Sequence, residues 1–111
     1  MTFSISTFNG HSMVRADGEL DVSTAPQLRQ TITTAIDEGA GTVIVDLTAV
    51  TFMDSTTLGV LIGAHNRVRE SGGAIGVVCP DDRVRRVFRI TGLDKVFTLH
   101  DTVSDAATAL A

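Results

Sequence analysis

Short apolar stretches alternate with glycine, proline and polar residues along the whole chain. Near its start, apolar and polar residues alternate over 3–7, which predicts a half-buried strand. Asn9 and Gly10 then supply a two-residue turn that tolerates positive φ, and a second strand is predicted at 13–16. The chain is therefore expected to open with an antiparallel hairpin, after which residues 18–22 lead into the first helix.

The pattern then changes to amphipathic helices separated by apolar strands. The first helix is predicted to begin after Thr24, because Pro26 fits only a first turn and Gln27 completes a capping box with Thr24. Gly39 and Gly41 are expected to end this helix. The remaining predicted elements are a strand at 42–47, a helix from 54–56 to 72–73, a strand at 74–79, a helix from 80–82 to 92, a strand at 96–99 and a helix at 101–110.

The order of these elements, ββαβαβαβα, defines the expected fold class. Strands that alternate with helices form βαβ units, whose strands pair in parallel. We therefore predict an α/β fold with a mixed, mostly parallel sheet and an antiparallel opening hairpin. The chain has 111 residues, of which 43% are hydrophobic, enough for one sizeable core. No linker, repeat or low-complexity segment interrupts it, so a single domain is predicted over 1–111.

Charge and cysteine content exclude several classes of protein. Thirteen acidic and nine basic residues give a net charge of −4, whereas proteins that bind nucleic acid usually carry a basic stripe. Cys79 is the only cysteine, which excludes an internal disulfide framework and a CxxC site. No signal peptide is apparent, and no apolar run reaches the roughly 18 residues of a membrane span. We expect a soluble, cytoplasmic protein that contacts neither nucleic acid nor membrane directly.

The most informative segment is FMDSTTLG at 52–59, which places one acid and three hydroxyls at a strand-to-helix junction. Ligand and partner sites of α/β proteins favour this position, beyond the carboxyl end of a strand. The same residue types also form helix N-caps, because their side chains bind the free amides of a first turn. From spacing alone, the N-cap is the favoured interpretation.

The run at 53–59 resembles the Asp-Ser-(Ser/Thr)-Gly-Leu-Gly signature of STAS-domain proteins, the bacterial anti-sigma factor antagonists. Similar segments follow the family order along nearly the whole chain: GELD at 18–21 before a helix start with Thr and Ala, VIVDL at 43–47, VF at 87–88 and TGL at 91–93. The length resembles that of the stand-alone antagonist more than the membrane transporters that carry the domain as a tail. The resemblance implies a single STAS-like α/β domain.

The resemblance also implies a switch by phosphorylation. In the family, the partner anti-sigma factor is an ATP-using kinase that phosphorylates the serine after the signature aspartate. That serine corresponds to Ser55, with Thr56 as the alternative acceptor; Asp54 matches the preceding acid, and Asp21 matches an acid near the acceptor. The unphosphorylated antagonist binds the serine-kinase anti-sigma factor and thereby frees the sigma factor, and a PP2C-type phosphatase resets it. The implied role is non-enzymatic and needs no cofactor.

One residue of the signature departs from the family pattern. Thr57 stands where the family usually has glycine. A β-branched residue is expected to add bulk where a kinase must approach and to offer another hydroxyl. The alternative function is therefore a STAS-like scaffold that binds another regulator and is never phosphorylated.

Two other uses of the polar residues are less consistent with the sequence. A hydrolase with Ser55 as nucleophile needs a base nearby, but His65 lies ten residues along the same helix, about 15 Å away. His65 is expected to border the core. A receiver-like phosphoacceptor at Asp46 needs an acidic cluster after the first strand, and 8–10 contain no acid. Asp46 is expected to cap a turn at the end of its strand.

The arginines at 83–89 are expected to form a solvated face balanced by Asp81, Asp82 and Asp94. The alternative is a docking surface for an acidic partner. The scattered histidines and the single cysteine do not form a metal-binding pattern. Cys79 is expected to be a buried, inert thiol.

Overall fold

The computed structural model describes residues 2–38 and 41–110. In chain order, its elements are β1 (Thr2–Phe8), β2 (His11–Leu20), α1 (Ala25–Asp37), β3 (Thr42–Met53), α2 (Ser55–Glu70), β4 (Ala74–Val78), α3 (Asp82–Thr91), a 3-10 helix (Leu93–Lys95), β5 (Leu99–His100) and α4 (Val103–Leu110). The predicted α/β class and the order ββαβαβαβα are confirmed. Within the described ranges, no helix combines the length and the apolar character needed to cross a membrane.

The strands form one sheet in the order β1-β2-β3-β4-β5. β1 is antiparallel to β2, and each later pair is parallel. Asn9 and Gly10 have φ values of 51° and 83° and form the tight turn of the opening hairpin, as predicted. Because β2, β3 and β4 run in the same direction, their carboxyl ends meet at one edge of the sheet.

The main core lies between the sheet and the layer formed by α1, α2 and α3. Its largest fully buried side chains are Leu20, Leu28, Ile32, Leu47, Leu58, Leu61 and Phe88. On the opposite face, Ile44 and Val78 pack under Ala106 and Ala107 of α4. β3 contributes side chains to both clusters, which explains its nearly continuous apolar sequence.

Both central strands are longer than predicted. The strand predicted at 13–16 is β2, which runs from His11 to Leu20. β3 continues beyond residue 47 to Met53. Two register shifts in the pairing of these strands leave extra residues on β3. Such bulges change which side chains face the core, so a single alternating period does not describe the strand.

Asp46 caps a local turn as predicted, but it lies inside β3, so its predicted place at the strand end is wrong. Its Oδ1 accepts hydrogen bonds from the backbone N–H of Thr48 at 3.0 Å and from the Thr48 hydroxyl at 2.5 Å. This local turn coincides with the first bulge, where one residue of β2, Ala16, faces two residues of β3, Leu47 and Thr48. The side chain is buried but hydrogen-bonded, so it stabilises the bulge instead of ending the strand.

The last strand is shorter than the one predicted at 96–99. A 3-10 helix precedes it, and β5 contains only Leu99 and His100. The ring of Phe97 is buried and packs edge-on against Phe88, with the ring centroids 6.0 Å apart. Of the apolar residues that suggested a strand, Phe97 therefore fills the core below α3, whereas Val96 is 47% exposed. α4 begins at Val103, two residues later than predicted.

Glycines end two of the helices as predicted. Gly92 follows α3 with a φ of 76°, the left-handed conformation that glycine adopts without steric cost. Gly72, with a φ of 78°, lies just after α2. For the end of α1, Gly39 lies outside the described residues, and Gly41 has a φ of 73° just before β3.

Candidate functional site

The carboxyl ends of β2 and β3 lie side by side. Leu20 pairs with Met53, and the backbone N–H of Asp54 donates a hydrogen bond to the Leu20 carbonyl oxygen at 3.3 Å. The segments that leave these strands therefore start next to each other, with Asp21 directly after β2 and Asp54 directly after β3. The structure thus places two predicted acids at one edge of the sheet.

Asp54 is the N-cap of α2. Its backbone is extended, and its Oδ1 accepts a hydrogen bond from the Thr57 N–H at 3.1 Å. The Thr57 hydroxyl donates to the same oxygen at 3.3 Å. One carboxylate oxygen therefore satisfies both an unpaired amide of the first turn and a buried hydroxyl. The N-cap interpretation is confirmed for Asp54.

Ser55 and Thr56 are the first two residues of α2, and both are exposed. Among the residues that the structure describes, their side-chain hydroxyls have no hydrogen-bond partner. After the N-cap Asp54, the first turn of α2 contains no acidic side chain. Its amides and the positive end of the helix dipole therefore face the position that an anion on Ser55 would occupy.

Thr57 is completely buried. It lies between the Asp54 carboxylate and the core, next to the buried side chain of Leu58. The expectation that Thr57 adds bulk on the surface approached by a kinase is wrong, because its side chain points inward. Its hydroxyl is used in the cap, so Ser55 and Thr56 are the accessible hydroxyls of the signature.

Asp21 organises the turn before α1. Its Oδ1 accepts hydrogen bonds from the Ser23 hydroxyl at 2.6 Å, the Ser23 N–H at 2.9 Å and the Thr24 N–H at 3.2 Å. The Thr24 hydroxyl oxygen accepts in return from the Asp21 N–H at 2.9 Å. These bonds, and the Ser23 hydroxyl most of all, lower the pKa of the Asp21 carboxyl.

The predicted capping box between Thr24 and Gln27 is wrong. Thr24 immediately precedes α1, but its side chain makes no cap hydrogen bond with the helix. Its backbone already has helical angles, with φ −102° and ψ −16°, so its hydroxyl turns back toward Asp21. The reciprocal pair of hydrogen bonds therefore lies three residues upstream, between Asp21 and Thr24.

Two exposed apolar side chains near the strand ends were missed by sequence reasoning. Phe52 is 50% exposed and Val22 is 70% exposed. Phe52 pairs with Glu19 just before the last pair of the β2–β3 ladder. Alternation along a strand could have predicted the exposure of Phe52, because the next residue, Met53, is buried. The surface around Ser55 thus combines free hydroxyls, carboxylates and apolar groups.

The histidines considered as bases lie elsewhere. His65 packs edge-on against Phe97 with the ring centroids 5.3 Å apart, which confirms that it borders the core. Its Nδ1 is buried and has no hydrogen-bond partner in the described part of the chain. His11 forms a hydrogen bond with Thr42 at the amino ends of β2 and β3, opposite the Ser55 edge.

The basic helix α3 is balanced by acids, but not only by those predicted. Arg83 forms an ion pair with Asp81 at 3.3 Å and lowers the pKa of that carboxyl. Arg85 instead pairs with Asp101 at 2.7 Å.

Cys79 is buried as predicted, and burial raises the pKa of its thiol to about 11. Over 2–38 and 41–110, no three potential metal ligands form a cluster.

The chain matches the STAS domain family model over residues 2–106 and therefore belongs to that family. The anti-sigma-F factor antagonist RsfB of Mycobacterium tuberculosis is 31% identical over 110 residues, which cover 99% of this chain and 89% of that protein. The structure of an anti-sigma factor antagonist from Mycobacterium paratuberculosis matches this one with a TM-score of 0.91 and 35% sequence identity. The match covers 98% of this chain and 92% of the Mycobacterium paratuberculosis chain.

The Bacillus cell fate determinant SpoIIAA, solved in its phosphorylated form, is also similar. The two structures have a TM-score of 0.73 and 28% sequence identity. The match covers 99% of this chain and 100% of SpoIIAA. The predicted family and fold are confirmed by these comparisons. The anti-sigma factor antagonists of this family are regulatory binding proteins.

The cap at Asp54 predicts a measurable loss of stability. Asp54→Ala should lower the free energy of unfolding by about 0.5–2 kcal/mol, because the Thr57 N–H loses its acceptor. Asp54→Asn keeps an acceptor oxygen and should retain most of this stability. Urea denaturation followed by circular dichroism measures both variants, and equal losses would contradict a capping role.

The lowered pKa of Asp21 predicts a pH-dependent contribution to stability. Because the fold favours the ionised carboxylate, this contribution is present above the ordinary pKa of 3.8 and is lost as the pH falls below it. Wild type should therefore exceed Asp21→Asn in thermal stability near neutral pH. The difference should shrink as thermal unfolding is repeated at acid pH, and a difference independent of pH would refute this assignment.

Proposed function

We propose that this chain is an anti-sigma factor antagonist that is switched by phosphorylation of Ser55. The unphosphorylated form binds a serine-kinase anti-sigma factor and so frees a sigma factor, and a PP2C-type phosphatase restores that form. The observation that carries the proposal is the exposed Ser55 hydroxyl at the start of α2, within the segment that resembles the antagonists' signature. The relatives named as antagonists support the same role.

The chain needs no catalytic group or cofactor for this role. Ser55 supplies the acceptor oxygen, while the kinase brings ATP and the phosphatase removes the phosphate. Thr56 is the second candidate acceptor, because it is also exposed. Ser55 is preferred since it directly follows Asp54, as the acceptor serine follows the signature acid in the family. Thr57 is not a candidate, because it is buried.

Phosphate at Ser55 is compatible with the fold. It adds about −1.5 to −2 charges at neutral pH. The first amides of α2 and the helix dipole stabilise an anion at this position. The Asp54 cap uses Thr57, which points inward, so an outward phosphate leaves the cap in place. The switch therefore acts on the surface and not on the packing of α2.

The same phosphate changes what a partner meets at this surface. Ser55 lies beside the carboxylate of Asp54, and Asp21 follows the neighbouring strand end. Asp17 and Glu19 are exposed near the carboxyl end of β2, the strand that precedes Asp21. A partner surface suited to a neutral hydroxyl would have to desolvate an additional anion among these acids. A loss of about 3 kcal/mol there lowers affinity by more than a hundredfold.

The exposed apolar side chains supply the attractive part of the interface. Phe52 is half-exposed, and Val22 is exposed over most of its surface. Aromatic side chains that become desolvated near the centre of an interface often dominate its binding energy. We assign Phe52 to the partner-binding surface, with Val22, Asp21, Asp54 and Thr56 around it.

The alternative is a STAS scaffold that is never phosphorylated. It was suggested by Thr57 in place of glycine, but the buried Thr57 gives no steric reason against modification of Ser55. The two functions differ in one result. A switch requires phosphate to control partner binding, whereas a scaffold binds its partner independently of ATP.

Phosphate mapping and binding measurements test the switch together. With a cognate serine-kinase anti-sigma factor and ATP, mass spectrometry should locate phosphate on Ser55, and affinity measured by calorimetry should fall by about a hundredfold or more. Ser55→Ala should accept no phosphate and bind constitutively, while the control Thr56→Ala should behave as wild type. Phosphate found on Thr56 instead would make Thr56 the acceptor. If an active kinase adds no phosphate to the chain, the scaffold function is favoured.

The apolar part of the interface has a separate test. Phe52→Ala should weaken binding of the unphosphorylated chain to its anti-sigma factor by about tenfold or more, because a desolvated aromatic contact is lost. Ile90→Ala removes another exposed apolar side chain, on α3, and should leave the affinity unchanged. Circular dichroism checks that both variants fold. Equal affinities of Phe52→Ala and wild type would exclude Phe52 from the interface.

A further inference from the structure

β1 forms one edge of the sheet, and β2 is its only strand neighbour in the described sheet. Its sequence, TFSISTF, has no charged residue, proline or glycine. Its seven residues pair with β2 without a register shift. Natural edge strands usually carry charges, prolines or bulges that prevent pairing with another chain. β1 has none of these protective features over Thr2–Phe8.

The turn after β1 fixes which of its backbone groups are free. Phe8 and His11 close the two-residue turn as a hydrogen-bonded pair, and such pairs alternate along an antiparallel ladder. The even-numbered residues of β1 therefore bond to β2. The backbone N–H and C=O groups of Phe3, Ile5 and Thr7 point to the open side of the sheet.

These outward groups are self-complementary about Ile5. When two copies of β1 pair antiparallel around this residue, Ile5 lies opposite Ile5, and Phe3 lies opposite Thr7. All three residues direct backbone groups outward, so every one of these groups finds a partner in the other copy. If the second β1 were shifted by one residue, the outward backbone groups of one copy would lie opposite the inward groups of the other. A shift by two residues would keep the match but shorten the paired stretch.

The side chains of β1 suit the same register. Phe3 packs against the main core, and because side chains alternate along a strand, Ile5 and Thr7 lie on the same face. Ile5 is 37% exposed, and pairing places it against its own copy. On the other face, Ser4 would meet Ser6, so no like charges oppose each other along the strand.

The neighbouring side of α1 is also uncharged over residues 27–34. α1 packs over β1 and β2, and its side toward α2 includes Arg29. The side away from α2 carries Gln27, Thr31 and Thr34. The hydroxyl of Thr31 donates to the Gln27 carbonyl at 2.8 Å, and that of Thr34 donates to the Gln30 carbonyl at 2.9 Å. These hydroxyls are already satisfied, so this side can approach a second copy without leaving them unpaired.

We infer that the chain forms a two-fold symmetric dimer in which β1 pairs antiparallel with β1 of a second copy, centred on Ile5. The dimer joins two five-stranded sheets into one continuous sheet. Ser55 follows β3, two strands in from the joined edge, so its hydroxyl stays open. The dimer depends on β1 alone and is independent of the proposed phosphorylation switch.

Sedimentation equilibrium of the full chain, from low micromolar to submillimolar concentration, measures this association. The mass of wild type should rise from 11.7 kDa to twice that value. Ile5→Lys opposes two like charges at the symmetry centre and should remain a monomer. Ile90→Lys, the same change at an isoleucine that is 74% exposed on α3, should dimerise as wild type does. A wild type that stays monomeric, or an Ile5→Lys variant that dimerises equally, overturns the inference.

Disulfide trapping tests the register without relying on Ile5→Lys. Opposed residues of a hydrogen-bonded antiparallel pair have Cα atoms about 5.5 Å apart, within the range of a disulfide. Under mild oxidation, Ile5→Cys should form a covalent dimer. Thr7→Cys, on the same face of the same strand, lies opposite Phe3 and should remain monomeric. Cys79 does not compete, because it is buried and its pKa is raised to about 11.

Non-reducing electrophoresis resolves the two products. No covalent dimer of Ile5→Cys overturns the inference, as does equal cross-linking of Thr7→Cys. Thermal unfolding of both variants under reducing conditions verifies that each retains the fold of wild type.

Discussion

The parallel pairing of β2 with β3 determines where every group of the site lies. The paired segment of β3 is longer than that of β2. Two bulges accommodate the extra residues, so that Leu20 and Met53 form the last pair of the ladder. Without these bulges, the strand ends would be offset by two residues, or about 7 Å. The Asp54 N–H then closes the junction by bonding to the Leu20 carbonyl. This pairing makes neighbours of Asp21 and Asp54, which are 33 positions apart in the sequence.

The first turn of α2 separates structural from exposed residues. A helix places residues three apart on the same side, so Asp54 and Thr57 meet over the core and form the cap. Ser55 and Thr56 occupy the opposite side, where their hydroxyls face solvent. A covalent change on the outward side therefore alters charge and shape without removing a hydrogen bond that holds the helix. The outward residues of this helix terminus can therefore be modified while the cap is kept.

Sequence patterns predicted the element order, the opening hairpin and the helix start at Asp54, because each depends on local residues such as Asn9, Gly10 and Asp54. The lengths of β2 and β3 were not predictable from one period, since the Asp46 bulge changes which side chains face inward. The Asp21–Thr24 hydrogen bonds depend on where β2 ends, which is set by pairing with β3. Burial of Thr57 had a signal that was missed, because it lies four residues before the buried Leu61 and therefore on the same side of α2.

The central claim is that phosphate on Ser55 changes the partner surface and leaves the fold intact. Amide hydrogen exchange, combined with thermal unfolding, compares the chain carrying phosphoserine at Ser55 with the unmodified chain. The account predicts a Tm that is similar or slightly higher, with protection of the α2 amides retained, because the helix N-terminus stabilises the anion. A large fall in Tm with loss of protection throughout α2 would contradict it, since the switch would then act by unfolding the helix.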